Sequence, residues 1–126
     1  MPKQENPQVV PSPNFAIPLS TTNFLPGTKI TKVLGLVVGI TVRTRGLGGQ
    51  IGAGFKGLIG GEIKQYTQNA YLARHEALAR LVEHAQSLGA DAVVKIYFDS
   101  NALQATMDEI IAYGTAVKTV PETLPA

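Results

Sequence analysis

The chain is expected to fold as a two-layer α+β domain, an antiparallel or mixed sheet covered on one face by one long helix. Three observations predict this. Alternating apolar positions run from Lys29 to Thr44 with many β-branched residues, the signature of a strand. Residues from about Glu62 to Leu88 are rich in helix formers, free of Gly and Pro, and stopped by Gly89. Two more strand-like runs, Ala92–Asp99 and Asp108–Thr119, follow closely enough to form a hairpin. Strands grouped around a single long helix pack as two layers.

Taken in order, residues 1–14 carry Pro2, Pro7, Pro11 and Pro13 and read as a proline-rich flexible arm. The folded domain spans 15–120, and 121–126 form a tail with Pro121 and Pro125. Phe15–Thr22 is predicted to be a short edge strand, interrupted by Pro18, and Pro26-Gly27 marks a turn. In the long run, Ile30, Leu34, Leu36, Val38, Ile40 and Val42 share one face. Val37, Gly39, Thr41 and Arg43 are among those on the other. Sixteen extended residues would span roughly 53 Å, too far for so small a domain, so Gly35 or Gly39 should mark a bulge or bend. Residues 46–61 hold eight of the thirteen glycines and are expected to form a short weak helix or an ordered glycine loop. Residues 100–107 connect the last two strands, and Gly114 lies inside the final one.

The long helix carries two apolar stripes. Ile63, Tyr66, Ala70, Ala73, Ala77, Leu81, Ala85 and Leu88 form an alanine-rich stripe suited to close approach to a sheet. Tyr71, His75, Leu78 and Val82 form a second, which is either a wider core face or a contact with another subunit; the subunit contact is the preferred reading.

Composition excludes several chemistries. The 126-residue, 13.3 kDa chain contains no cysteine, which removes disulfides, thiolate metal sites and a cysteine nucleophile. Its net charge of +2 does not mark a nucleic-acid binder. No apolar run reaches the roughly 18 residues needed to span a bilayer, and a cytoplasmic protein is expected. His75 and His84, nine apart on the helix, point to opposite sides and cannot share an ion within one chain, so no tight metal site and no cofactor is expected. Asp99, Asp108 and Glu109 flank the final connection without the spacing of a calcium loop. Gly52-Ala-Gly-Phe-Lys-Gly57 has the G-x-G-x-x-G pattern. The βαβ context that gives that pattern meaning is missing, and Gly49, Ala53, Gly57 and Gly61 read better as a packing stripe. There is no nucleophile elbow and no catalytic residue is assigned. Arg43, Arg45, Lys56 and Lys64 cluster in sequence and could rim an anion site near the helix N-terminus. Glu76 and Arg80 are i, i+4 partners, and Arg74 is expected to form an ion pair.

Thr21-Thr22, Gly27, Ile30, Leu34-Gly35, Val37 and Gly39 resemble the opening of the YbjQ-like family. Gly60-Gly61, Tyr66-Thr67, Ala73-Arg74, Glu76-Ala77-Leu78, Leu88-Gly89-Ala90-Asp91-Ala92-Val93 and Ala112-Tyr113-Gly114-Thr115-Ala116-Val117 continue it in family order. The resemblance covers residues 20–120; the proline-rich arm and the glycine content of 46–59 depart from it. It implies a dodecin-like subunit and a homopentameric ring, a family label of heavy-metal binding, and no established activity. The expectation is therefore a non-enzymatic, self-assembling domain whose partner is itself, with a ligand or ion site at subunit junctions. The alternatives are a metal- or small-anion-binding protein, and a membrane-surface module using Phe55, Leu58 and Ile59.

Overall fold

The computed structural model describes residues 15–44, 58–59 and 62–123. Strand β1 (Thr28–Thr44) is followed by the two-residue strands β2 (Leu58–Ile59) and β3 (Glu62–Ile63). Helix α1 (Lys64–Ser87), β4 (Ala92–Gln104) and β5 (Met107–Pro121) complete the order. The main sheet is antiparallel with the order β1-β5-β4, and β2 pairs with β3 as a separate small hairpin. One helix on one face of this sheet is the expected α+β architecture. The arm residues 1–14 and most of the glycine-rich stretch lie outside the described residues, as do 124–126 of the tail.

Strand β1 escapes the length limit by bending. Its register against β5 shifts between Ile30 and Lys32 and again between Val33 and Gly35, and Gly35 sits at φ 130°, where a Cβ would be strained. Gly39, the other candidate for the bend, does something else. An added Cβ there would lie 1.9 Å from the Ala77 carbonyl oxygen and 2.4 Å from the Leu81 nitrogen. The backbone of α1 therefore rests directly on β1, as the alanine stripe anticipates. The helix closes with a Schellman arrangement: Ala90 N–H donates to the Ala85 carbonyl, and Gly89, at φ 77°, donates to Gln86.

The layer between helix and sheet is built from Val37, Ala77, Leu81, Val82, Ala85, Val93, Ile96, Ala112 and Ala116, all buried. Pairing puts Val37, Gly39 and Thr41 opposite Gly114, Ala112 and Ile110, so the small residues of both strands face the helix. The alternate residues Leu36, Val38, Ile40 and Val42 therefore face away from it. A second cluster, Ala92, Val94 and Val117, lies at one end of that outer face and is covered by Leu25 and Ile30.

Two sequence expectations are corrected. Phe15–Thr22 is not a strand. It runs extended beside β4 with a single parallel bridge, Leu19 to Val93, and exchanges hydrogen bonds with the β4 edge through Pro18, Ser20 and Thr22. Pro18 can accept but has no N–H to donate, which limits the ladder. Residues 100–107 are not a loop either. Strands β4 and β5 continue through them to a tight turn at Ala105-Thr106.

Candidate functional site

The ridge of Tyr71, His75, Leu78 and Val82 finds a partner inside the chain. Val82 is buried, and Leu78 packs on the core beside Phe15, Ile17 and Leu19. The His75 ring stacks on Phe15 with centroids 5.3 Å apart. Residues 15–19 thus cover the middle of this ridge, while His75 keeps an exposed edge. Periodicity could not show this, because an extended segment that docks by a few side chains carries no repeat.

Beneath residues 15–21 lies an open cleft of about 650 Å³. Leu78, Ile96 and Phe98 form its inner wall, and among the described residues none that lines it is charged. The Arg74 guanidinium stands 5.4 Å from the Phe98 ring centroid, and among the described residues it makes no ion pair.

The basic cluster resolves into a different arrangement. Arg45 and Lys56 lie outside the described residues, and Lys64 is the first residue of α1. Arg43 does not face an open anion site. Its Nη2 donates to Glu76 Oε2 at 3.0 Å, and the buried Thr41 hydroxyl donates to the same oxygen at 3.0 Å. Arg43 Nε is enclosed and has no partner among the described residues. The Thr41 hydrogen bond, followed by the Arg43 charge, holds the Glu76 carboxyl below its ordinary value near 4.5, and the Arg80 charge adds to this. Glu76 and Arg80 thus reach to β1 rather than to each other. Arg80 donates to the Ile40 carbonyl, and His84 Nδ1 accepts the Val38 N–H at 3.2 Å. Both backbone groups lie on the free edge of β1, so α1 side chains satisfy part of an edge that would otherwise be open to pairing. The sequence did carry a signal for this contact. Thr41 and Arg43 are polar residues on the same strand face as Gly39, where only a helix side chain of opposite character could receive them.

Among the described residues no three His, Cys, Asp or Glu side chains converge. The two histidines are occupied separately, by Phe15 and by Val38 N–H. Asp108 and Glu109 are adjacent in β5 and so point to opposite faces, which separates them from a shared ion.

The outer face of the sheet carries a run of exposed apolar residues. Leu36, Val38, Ile40 and Val42 of β1 stand beside Thr115, Tyr113, Ile111 and Glu109 of β5. Tyr97 of β4 adds its ring at 5.8 Å from Tyr113. Leu36 is 67% exposed, Tyr97 and Val42 48%, Ile40 41% and Tyr113 36%. Together they open on the order of 400 Å² of largely apolar surface, within the size range at which patches on a monomer are commonly functional. Among the described residues no helix is long and apolar enough to cross a membrane.

Comparison with known proteins follows the same outline. The YbjQ family model, described as "Putative heavy-metal-binding", matches residues 17–120. A UPF0145 protein of Sulfurisphaera tokodaii is 60% identical over 99 residues, covering 79% of this chain and 87% of the relative. One from Methanoregula boonei is 53% identical over 103 residues, covering 82% and 86%. One from Thermosipho melanesiensis is 46% identical over 104 residues, covering 82% and 96%. A crystal structure of a protein of unknown function from Pediococcus pentosaceus, assigned to the DUF74 family, superposes with a TM-score of 0.56. It is 13% identical and covers 81% of this chain and 96% of its own, a likeness of fold.

Proposed function

The chain belongs to the YbjQ family, and from that premise we propose that it is a non-enzymatic, self-assembling subunit whose outer sheet face is covered by another copy of itself, in a cytoplasmic homopentameric ring. The observation that carries the reading is the placement of large apolar residues. The helix takes the small-residue face of β1, and Leu36, Ile40, Val42, Tyr97 and Tyr113 are left to solvent. Burying Leu36 alone is worth about 1.5–3 kcal/mol. A stable interface needs roughly 800 Å² from each partner, so the exposed patch would form the apolar centre of one interface with a polar rim around it. A ring repeats that contact at every junction. Any metal held by such an assembly needs ligands from more than one copy, because one chain brings no three together among its described residues.

Light scattering on the purified protein tests this. The expected mass is five times the 13.3 kDa of one chain. Ile40→Asp, which puts a charge at the middle of the face, should give monomers or small species with the helical circular dichroism retained. A monomeric native protein, or an unchanged ring for the variant, contradicts the reading.

A further inference from the structure

The cleft under residues 15–21 has the features of a ligand site that is complete within one chain, independent of the assembly. Its volume of about 650 Å³ lies in the ~300–1,000 Å³ range of small-molecule sites. The walls are mostly apolar, formed by Phe15, Ile17, Leu78, Ile96 and Phe98, with Ser20 and Thr21 adding hydroxyls. Ile96 is buried while Phe98 is 37% exposed, so Phe98 lies at the solvent side of the lining. The charge that adjoins the cleft comes from outside its lining, at the Phe98 end. Arg74 stands over Phe98, and among the described residues no carboxylate lies within ion-pair distance of it. The carboxylate nearest to it along the helix, Glu76, is held on the opposite side of α1 by Thr41 and Arg43. A guanidinium on an aromatic face keeps its donor edge free for a planar anion such as a carboxylate.

We propose that this cleft binds a single-chain amphiphile with an anionic head, its alkyl tail against Leu78 and Ile96 and its carboxylate on Arg74. The tail supplies affinity through apolar burial, and the head supplies selectivity. A cationic amphiphile of the same length meets Arg74 as a like charge. A neutral one fills the cleft without the head contact.

Calorimetric titration of the full chain with decanoate, decanol and decyltrimethylammonium, each below its micelle concentration, tests the proposal. Decanoate should bind once per chain and about tenfold tighter than decanol, with decyltrimethylammonium the weakest. Arg74→Gln, a surface change, should bring decanoate down to the affinity of decanol and leave decanol unaltered. Leu78→Trp, which fills the cleft, should abolish uptake of both; because Leu78 also touches the core, its circular dichroism is recorded alongside. Three equal affinities, no binding at millimolar decanoate, or an Arg74→Gln variant indistinguishable from the native protein each overturns the proposal. Adsorption to phosphatidylglycerol vesicles without uptake of free decanoate makes the surface a membrane contact and overturns it as well.

Discussion

Replacing Gly39 by alanine adds a single methyl group, and the structure says where it must go. The ideal Cβ position is 1.9 Å from the Ala77 carbonyl oxygen, 2.4 Å from the Leu81 nitrogen and 3.0 Å from the Ala77 carbonyl carbon. All three are backbone atoms of α1, so no rotamer change relieves the contact. Ordinary packing starts at 3.4 Å, and the helix must therefore lift from β1 by more than an ångström. Lifting it loosens Val37, Ala77 and Leu81, each fully buried at this contact. A gap of 0.5–1 Å forfeits about a quarter to a half of each dispersion well it opens. Overpacking costs typically 1–3 kcal/mol when side chains can yield. Here they cannot, and Gly39→Ala should cost more than about 3 kcal/mol, a large part of the ~5–15 kcal/mol that holds a domain of this size together. Urea unfolding followed by circular dichroism at fixed protein concentration measures it. Gly27→Ala is the control: its Cβ meets nothing within 4 Å, but its φ of 79° imposes a strain of about 1 kcal/mol. A Gly39→Ala variant as stable as Gly27→Ala would refute the direct seating of the helix on β1.

Other outcomes follow from the same contacts. His84→Ala removes the acceptor of the Val38 N–H and should lower stability by about 1 kcal/mol in the same urea assay; no change would mean that water replaces the imidazole without loss. Because Glu76 has a lowered pKa in the folded state, its contribution is present above the unfolded value near 4.5 and is lost as pH falls through the lower folded value. The native urea midpoint should therefore drop below pH 4.5 more steeply than that of Glu76→Gln, and parallel profiles would contradict the Thr41–Arg43 contact. Zinc titrated into chelator-treated protein should bind no tighter than micromolar. A stoichiometric nanomolar site would point to ligands joined between copies, with His75 or His84 the first residues to replace.

The sequence made the elements of this fold readable where one physical constraint acted alone. The stop at Gly89 followed from the need for positive φ, and the bend at Gly35 from the length of β1. The alanine stripe of α1 foretold close approach, and Gly39 is its counterpart on the strand. What could not be read was which face of β1 turns inward. Counting apolar residues favours the face of Leu36, Ile40 and Val42, but close helix–sheet contact selects small side chains, and Val37, Gly39 and Thr41 took that position. The cover over Leu78 and His75 was equally hidden, because Phe15–Leu19 docks without secondary structure. The pairing of Arg43 with Glu76 joins residues 33 apart, so the polar face of Thr41 and Arg43 signalled a helix partner without identifying which residue it is.

The central claim, that another copy covers the outer sheet face, has a direct probe because the chain contains no cysteine. Leu36→Cys places one thiol at the most exposed apolar position of that face, and Glu122→Cys places one at an exposed position near the end of β5. Their alkylation rates, measured at a concentration where light scattering gives the mass, are compared with rates in the Ile40→Asp background. The account predicts that Leu36→Cys reacts at least tenfold more slowly than Glu122→Cys, and that Ile40→Asp abolishes the difference. Equal rates for the two thiols in the otherwise native protein would contradict it.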